Sequence, residues 1–156
     1  MNAVITVFYD WSRIVASYFA WAGPLAVRIV VGWVFLWSGW TKLNMLPRMI
    51  ENFREWGIPV PEIFTPLASG IEFAGGILLL IGLLTRFAAV PMMIVMLVAI
   101  VSAKWGDIDS LETLLGFDEV AYFVMFAWLA IAGPGPVSVD HLVLKGSGRN
   151  PSEHGA

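Results

Sequence analysis

Residues 64–84 read FTPLASGIEFAGGILLLIGLL, an almost unbroken apolar run carrying one charge, Glu72. About 20 apolar residues rising ~1.5 Å each match the hydrocarbon thickness of a bilayer. A carboxylate near the middle of such a span costs a few kcal/mol if left bare, so it must be paired, protonated or turned to a polar cavity. Glu72 is therefore the first candidate for a functional residue.

The composition agrees with a membrane chain. Hydrophobic residues make up 58% of the sequence and charged residues 13%, against ~45–50% and ~25% in soluble domains. At 156 residues there is room for one domain, so any chemistry uses residues in or beside the bilayer or belongs to a partner. Eight Trp and ten Phe suit an aromatic belt as well as packing. A net charge of −3 offers no basic patch for nucleic acid. With no cysteine, disulfides, thiol catalysis, thiolate metal sites and covalent haem are excluded.

Hydropathy predicts an all-α fold with four up-down spans, at about 24–42, 64–84, 87–103 and 118–133, within a membrane domain at 23–140. Gly23-Pro24 marks the first start, and Gly82-Leu-Leu-Thr-Arg86 leaves room only for a tight turn between antiparallel neighbours. The last apolar stretch, 120–133, covers only ~21 Å. Its helix is expected to begin earlier, to carry Asp118 and Glu119 into protected space, and to draw on Leu111, Leu114, Leu115 and Phe117; Gly133-Pro-Gly-Pro136 stops it.

Residues 1–22 place Val4, Phe8, Trp11, Val15 and Tyr18 at helical spacing, which predicts an amphipathic interfacial helix, with a loosely ordered tail as the alternative. Between spans one and two, Leu46, Ile50, Phe53 and Trp56 oppose Arg48, Glu51, Arg54 and Glu55, which predicts a short surface helix. Residues 141–156 read as a polar tail, disordered from Lys145 on. Four spans put both termini on one side. That side holds Arg13, Arg28, Arg86, Lys145 and Arg149 against Lys42, Arg48, Arg54 and Lys104. The excess favours cytoplasmic termini.

The stretches RIVVGWVFLWSGWTKL from Arg28, Gly57-Ile-Pro, EFAGGILLLIGLLTR from Glu72 and GPGPVSVD ending at Asp140 together resemble the DoxX family, in its order and spacing. The resemblance implies a small four-helix protein of the bacterial inner membrane. The family is named after a subunit of a thiosulfate:quinone oxidoreductase, and some members are associated with membrane redox or oxidative-stress complexes. The resemblance also makes Arg28, Lys42, Glu72 and Arg86 family-pattern residues.

Depth arithmetic places Arg28 ~6 Å, Glu72 ~18 Å and Lys42 ~27 Å from the termini side. A guanidinium stays charged and offers a fork, so Arg28 is the expected partner of Glu72. Such a pair serves either to lock two helices or to relay protons and hydrogen-bond a quinone headgroup. Lys42 and Arg86 lie at helix ends, where charged heads snorkel to the interface. Glu119 suits a helix N-terminus or a second acidic site. Trp33, Trp37 and Trp40 form a stripe that packs, sits in an interface belt, or walls a quinone or lipid site. Gly70, Gly75, Gly76 and Gly82, with Ser69 and Ala74, let helices approach closely. His141 and His154 lie outside the spans, so no intramembrane imidazole is available for haem or metal, and no metal site is expected.

These readings converge on a membrane subunit of a redox complex that contacts quinone without holding a cofactor of its own. A small-molecule or lipid-binding, transporter-like module and a structural scaffold are the alternatives.

Overall fold

The computed structural model describes residues 3–146, of which the helices are α1 Ala3–Phe19, α2 Ala22–Asn44, α3 Leu46–Glu55, α4 Pro61–Ile81, α5 Thr85–Ala99, α6 Leu111–Leu115, α7 Asp118–Ala132 and α8 Val139–Gly146. Helix accounts for 85% of the structure, and the described residues contain no strand. Three helical stretches are long and apolar enough to cross a membrane: Ala22–Asn44, Pro61–Ile81 and Thr85–Asp107. The third continues α5 through a π-helical turn, Ile100–Lys104, and a 3₁₀ turn, Trp105–Asp107.

Local signals explain the ends. Pro61 occupies the first turn of α4, where no intrahelical N–H bond is lost. Gly82 closes α4 in the left-handed region (φ 69°), and the Leu83 amide returns to the Leu78 carbonyl at 2.9 Å. Only three residues separate α4 from α5, which makes these helices neighbours. Leu84 opens α5 at φ 49°, a conformation costly for a branched side chain. Both Asp140 oxygens hold that corner, accepting from the Leu84 amide at 2.7 Å and the Thr85 amide at 3.0 Å.

The fourth apolar helix covers nearly the expected residues, but what precedes it differs from expectation. The Ser110 hydroxyl accepts from the Thr113 amide at 3.1 Å and caps a separate helix, α6, which ends at Gly116. The Thr113 hydroxyl also donates to Asp109, which holds that carboxyl below its ordinary value. Phe117 is extended (φ −75°, ψ 134°), so α7 starts afresh at Asp118. The leucines of 111–115 therefore do not lengthen it, and Asp118 is exposed rather than sheltered. Fifteen residues of α7 reach ~22 Å.

The chain is also helical further toward its C-terminus than expected. Ser138 accepts from the His141 amide at 3.1 Å, a capping bond that starts α8 and extends helix through Lys145 to Gly146. The remainder of the expected tail lies outside the described residues.

Helix α2 packs along α4, α4 on α5, α5 on α7, and α7 back on α2. Their common core is Val31, Phe35, Leu79, Ala88, Ala89, Met92, Met96, Phe126 and Leu129. Phe35 meets the rings of Tyr122 and Phe126 edge-on, each at 5.1 Å. In lipid, apolar surface gains little by leaving solvent, so this association rests on close packing. The α2–α4 contact shows how close. A Cβ on Gly39 would collide with the Phe73 backbone, and one on Gly76 with the Leu36 backbone. Gly75 lies against Met92, whereas Gly70 has open space and Ala74 is exposed, so these two make no close approach.

Helix α3 packs against α4. Arg54 clasps the two, donating to Glu51 at 2.5 Å and Glu62 at 2.7 Å. Those acids hold its guanidinium above its ordinary value, the Glu62 hydrogen bond first. The described side chains of α1 are exposed throughout, with Phe8, Trp11, Val15 and Tyr18 among them.

Candidate functional site

Glu72 is fully enclosed, with 2% of its surface exposed, and Lys42 rather than Arg28 is its partner. The Lys42 ammonium donates to both carboxylate oxygens, at 2.6 and 2.7 Å. The Ser38 hydroxyl donates to Oε2 at 2.9 Å. Ser38 and Lys42 stand four residues apart on one face of α2, so one helix supplies a hydroxyl and an ammonium to a carboxylate on the next.

Side-chain lean explains why depth arithmetic chose the wrong cation. Helical side chains tilt toward the N-terminus of their own helix. Helices α2 and α4 run antiparallel, since Gly39 faces Phe73 while Gly32 faces Leu80. Lys42 thus leans into the helix pair and Glu72 leans out to meet it. Arg28, on the other side of Glu72, leans away. Of the pair, Lys42 is the accessible member, with a third of its side chain exposed.

Arg28 is equally enclosed, at 2% exposure, but its work lies at the other end of the helices. Its Nε donates to the Leu79 carbonyl at 2.9 Å and its Nη2 to that of Leu80 at 3.3 Å, at the open C-terminal end of α4. Its Nη1 donates to the carbonyls of Pro134 at 2.6 Å and Val137 at 2.8 Å. One guanidinium therefore pins the Gly-Pro-Gly-Pro loop to the end of α4. Asp140 completes the corner: besides capping α5, its amide donates to the Gly82 carbonyl at 2.9 Å. This node is an anchor built on backbone carbonyls, separate from the Glu72 cluster.

The other candidates scatter. Arg86 is exposed in the first turn of α5 and lies against Gly133, whose added Cβ would sit 3.0 Å from Nε. Glu119 is half-buried in the first turn of α7, where the helix dipole favours an acid. Trp33, Trp37 and Trp40 are 63%, 65% and 51% exposed, so the stripe faces outward; Trp40 stacks on Phe73 at 5.7 Å. No group of three or more potential metal ligands occurs among the described residues.

Two members of the polar cluster, Ser38 and Thr65, went unnoticed in the sequence, and Ser69 was noted only as a small packing residue. Ser38 was legible only as the residue one turn before Lys42. Thr65 and Ser69 share the stripe of Glu72 on α4, and both are fully enclosed. The Ser69 hydroxyl donates to the Thr65 carbonyl at 2.8 Å, and the Thr65 hydroxyl has no partner among the described residues.

Comparison with known proteins identifies the family. The profile of the family described as DoxX matches residues 23–105, which includes Arg28, Ser38, Lys42, Thr65, Ser69 and Glu72. Similar chains include "Uncharacterized membrane protein Rv3486" of Mycobacterium tuberculosis, 33% identical over 87% of this chain and 90% of its own. "Inner membrane protein YqjF" of Escherichia coli is 29% identical over 79% of this chain and 93% of its own. "Putative oxidoreductase CatD" of Bacillus subtilis is 27% identical over 80% of this chain and 89% of its own. No solved structure matches. The chain belongs to the DoxX family and is one of its small integral membrane proteins.

Proposed function

We propose that the protein is the membrane subunit of a redox complex and that the Ser38–Lys42–Glu72 cluster receives the polar head of a quinone. The observation that carries this reading is the asymmetry of the ion pair: an enclosed carboxylate holds a lysine that a ligand can still reach. A quinone carbonyl accepts hydrogen bonds, and the Lys42 ammonium, which gives two of its three N–H groups to Glu72, has a third to donate. Reduction to the quinol takes two electrons and two protons. The electrons come from a carrier on a partner protein, since this chain has no cysteine and no histidine in its spans. The protons pass through Lys42 and Glu72, acid–base groups held in contact. The oxidoreductase name of the Bacillus subtilis relative supports the reading.

In this arrangement α7 is a fourth, short crossing beside the three long ones, and the local bilayer thins to meet it. Both termini face the cytoplasm from the inner membrane of a bacterium. Helix α1 lies in the interface with its aromatic residues in the headgroup region, and α3 covers the opposite surface.

A structural role has its own support: Lys42 and Ser38 tie α2 to α4 beside the glycine contacts at Gly39 and Gly76, as a register lock would. Purification from native membranes in mild detergent separates the two readings. The expected result is co-purifying quinone and a cofactor-bearing partner, with the quinone lost in a stably inserted Glu72→Gln variant. Quinone-free protein, or quinone retained by that variant, overturns the proposal.

A further inference from the structure

We propose that Glu72 exchanges its proton with one face of the membrane only, the face that carries α3, along a buried hydroxyl line through Ser69 and Thr65 completed by ordered water. This deepens the quinone reading by assigning the side from which protons are drawn.

The polar groups around Glu72 are distributed to one side. Thr65, Ser69 and Glu72 recur at i, i+4 and i+7, one stripe of α4 running from mid-helix toward its α3 end. All three are at most 2% exposed. Ser69 spends its proton on the Thr65 carbonyl but keeps its oxygen free to accept. The Thr65 hydroxyl is enclosed without a partner among the described residues, a costly state that a bridging water relieves. Pro66 lacks an N–H, so the Glu62 carbonyl one turn earlier loses its helical donor and adds an acceptor at the same end. Lys42 approaches Glu72 from this side too, with part of its side chain exposed.

Toward the α4–α5 turn the lining changes. Beyond Glu72 the enclosed residues are Gly75, Gly76 and Leu79 on α4, against Val31, Phe35 and Met92. Leu79 lies seven residues on, ~10 Å of helix with no hydroxyl or charge on the enclosed stripe. The next enclosed polar groups are Arg28, Thr85 and Ser138, at the far end; the Thr85 hydroxyl is also without a partner among the described residues, but the Gly75–Leu79 stretch separates it from Glu72. Arg28 gives its donors to four carbonyls, and its fixed positive charge opposes an approaching proton. An apolar plug and a cation therefore close one direction, and hydroxyls open the other. The proton moves from water at the α3 face past Thr65 to Ser69, which turns its own O–H from the Thr65 carbonyl to the Glu72 carboxylate, directly or through one water, as it accepts the incoming proton, and the return follows the same route.

The test uses the purified protein in vesicles of uniform orientation, with no quinone and no partner, so its failure is separable from failure of the quinone reading. Infrared difference spectra record the carboxyl C=O stretch after a pH jump on either face, and Glu72→Gln identifies the band by removing it. The expected band appears only on acidifying the α3 face, and Thr65→Val, which keeps the shape and removes the hydroxyl, slows it by about tenfold. A band that follows the opposite face, or no Glu72 band at any pH the vesicles tolerate, overturns the proposal. So does an unchanged rate in Thr65→Val together with a raised melting temperature, the signature of a dry orphan hydroxyl.

Discussion

Lys42 bridges both oxygens of the Glu72 carboxylate, at 2.6 and 2.7 Å, so two helices meet through one ion pair. The pair joins the interior of α4 to the accessible end of α2. Its enclosed half cannot tolerate the loss of its partner, and its exposed half gives a ligand somewhere to enter.

Lys42→Met leaves the enclosed Glu72 without its cation, held only by the Ser38 hydroxyl. Breaking a buried pair on one side costs about 3–5 kcal/mol, and the accessibility of Lys42 puts this case at the lower end. The double variant Lys42→Met/Glu72→Leu removes both charges and should recover most of that loss. Thermal unfolding in one detergent, followed by tryptophan fluorescence, compares them; a double variant no more stable than the single would mean that the pair is not isolated as described.

Arg28→Lys keeps the charge and loses the fork. A single ammonium cannot serve carbonyls at both the end of α4 and the 134–137 loop. Each hydrogen bond from a charged donor contributes about 1.5–3 kcal/mol, so losing two or more should lower stability by at least ~3 kcal/mol. Protease access to the loop should rise in parallel.

The glycines of α4 should separate into two classes. Gly76→Ala forces a methyl into the Leu36 backbone and should cost about 1–3 kcal/mol by overpacking, as should Gly39→Ala against Phe73. Gly70→Ala meets nothing within 4 Å and should be neutral or stabilising by up to ~1 kcal/mol through helix propensity. Parallel melts of the three variants check the ordering.

Arg54 gives the contrasting case. Its ion pairs to Glu51 and Glu62 are exposed, and such pairs contribute little to stability. Arg54→Ala should leave the melting temperature nearly unchanged, and raising the salt concentration should erase any remaining difference.

Much of the fold was legible because lipid makes one demand, long apolar helices, and residues 64–84 meet it without ambiguity. The α4–α5 turn followed from Gly82 and the short spacing to Arg86. The start of α7 near residue 118 was legible as well, but its separation from Leu111, Leu114 and Leu115 was not, because they look like more of the same helix, while the break depends on a capping bond from Ser110 and an extended Phe117. Glu72 stood out as a lone charge. Its partner did not, because Arg28 and Lys42 bracket it in depth and only the lean of the side chains decides between them. Arg28 in turn answers to four carbonyls, and backbone carbonyls leave no trace in a sequence. Thr65 was hidden by being an ordinary residue of a helix and Ser69 passed for a small packing residue; their meaning comes from sharing a stripe with a buried carboxylate.

Photolabelling of native membranes with an azidoquinone puts the ligand site itself to the test. Label should fall on the segments carrying Ser38 and Lys42 and on that carrying Glu72, should be displaced by excess unlabelled quinone, and should drop sharply in Lys42→Met. Label confined to other segments, or unchanged in Lys42→Met and Glu72→Gln alike, would contradict a quinone site at this cluster and leave the ion pair as a lock between two helices.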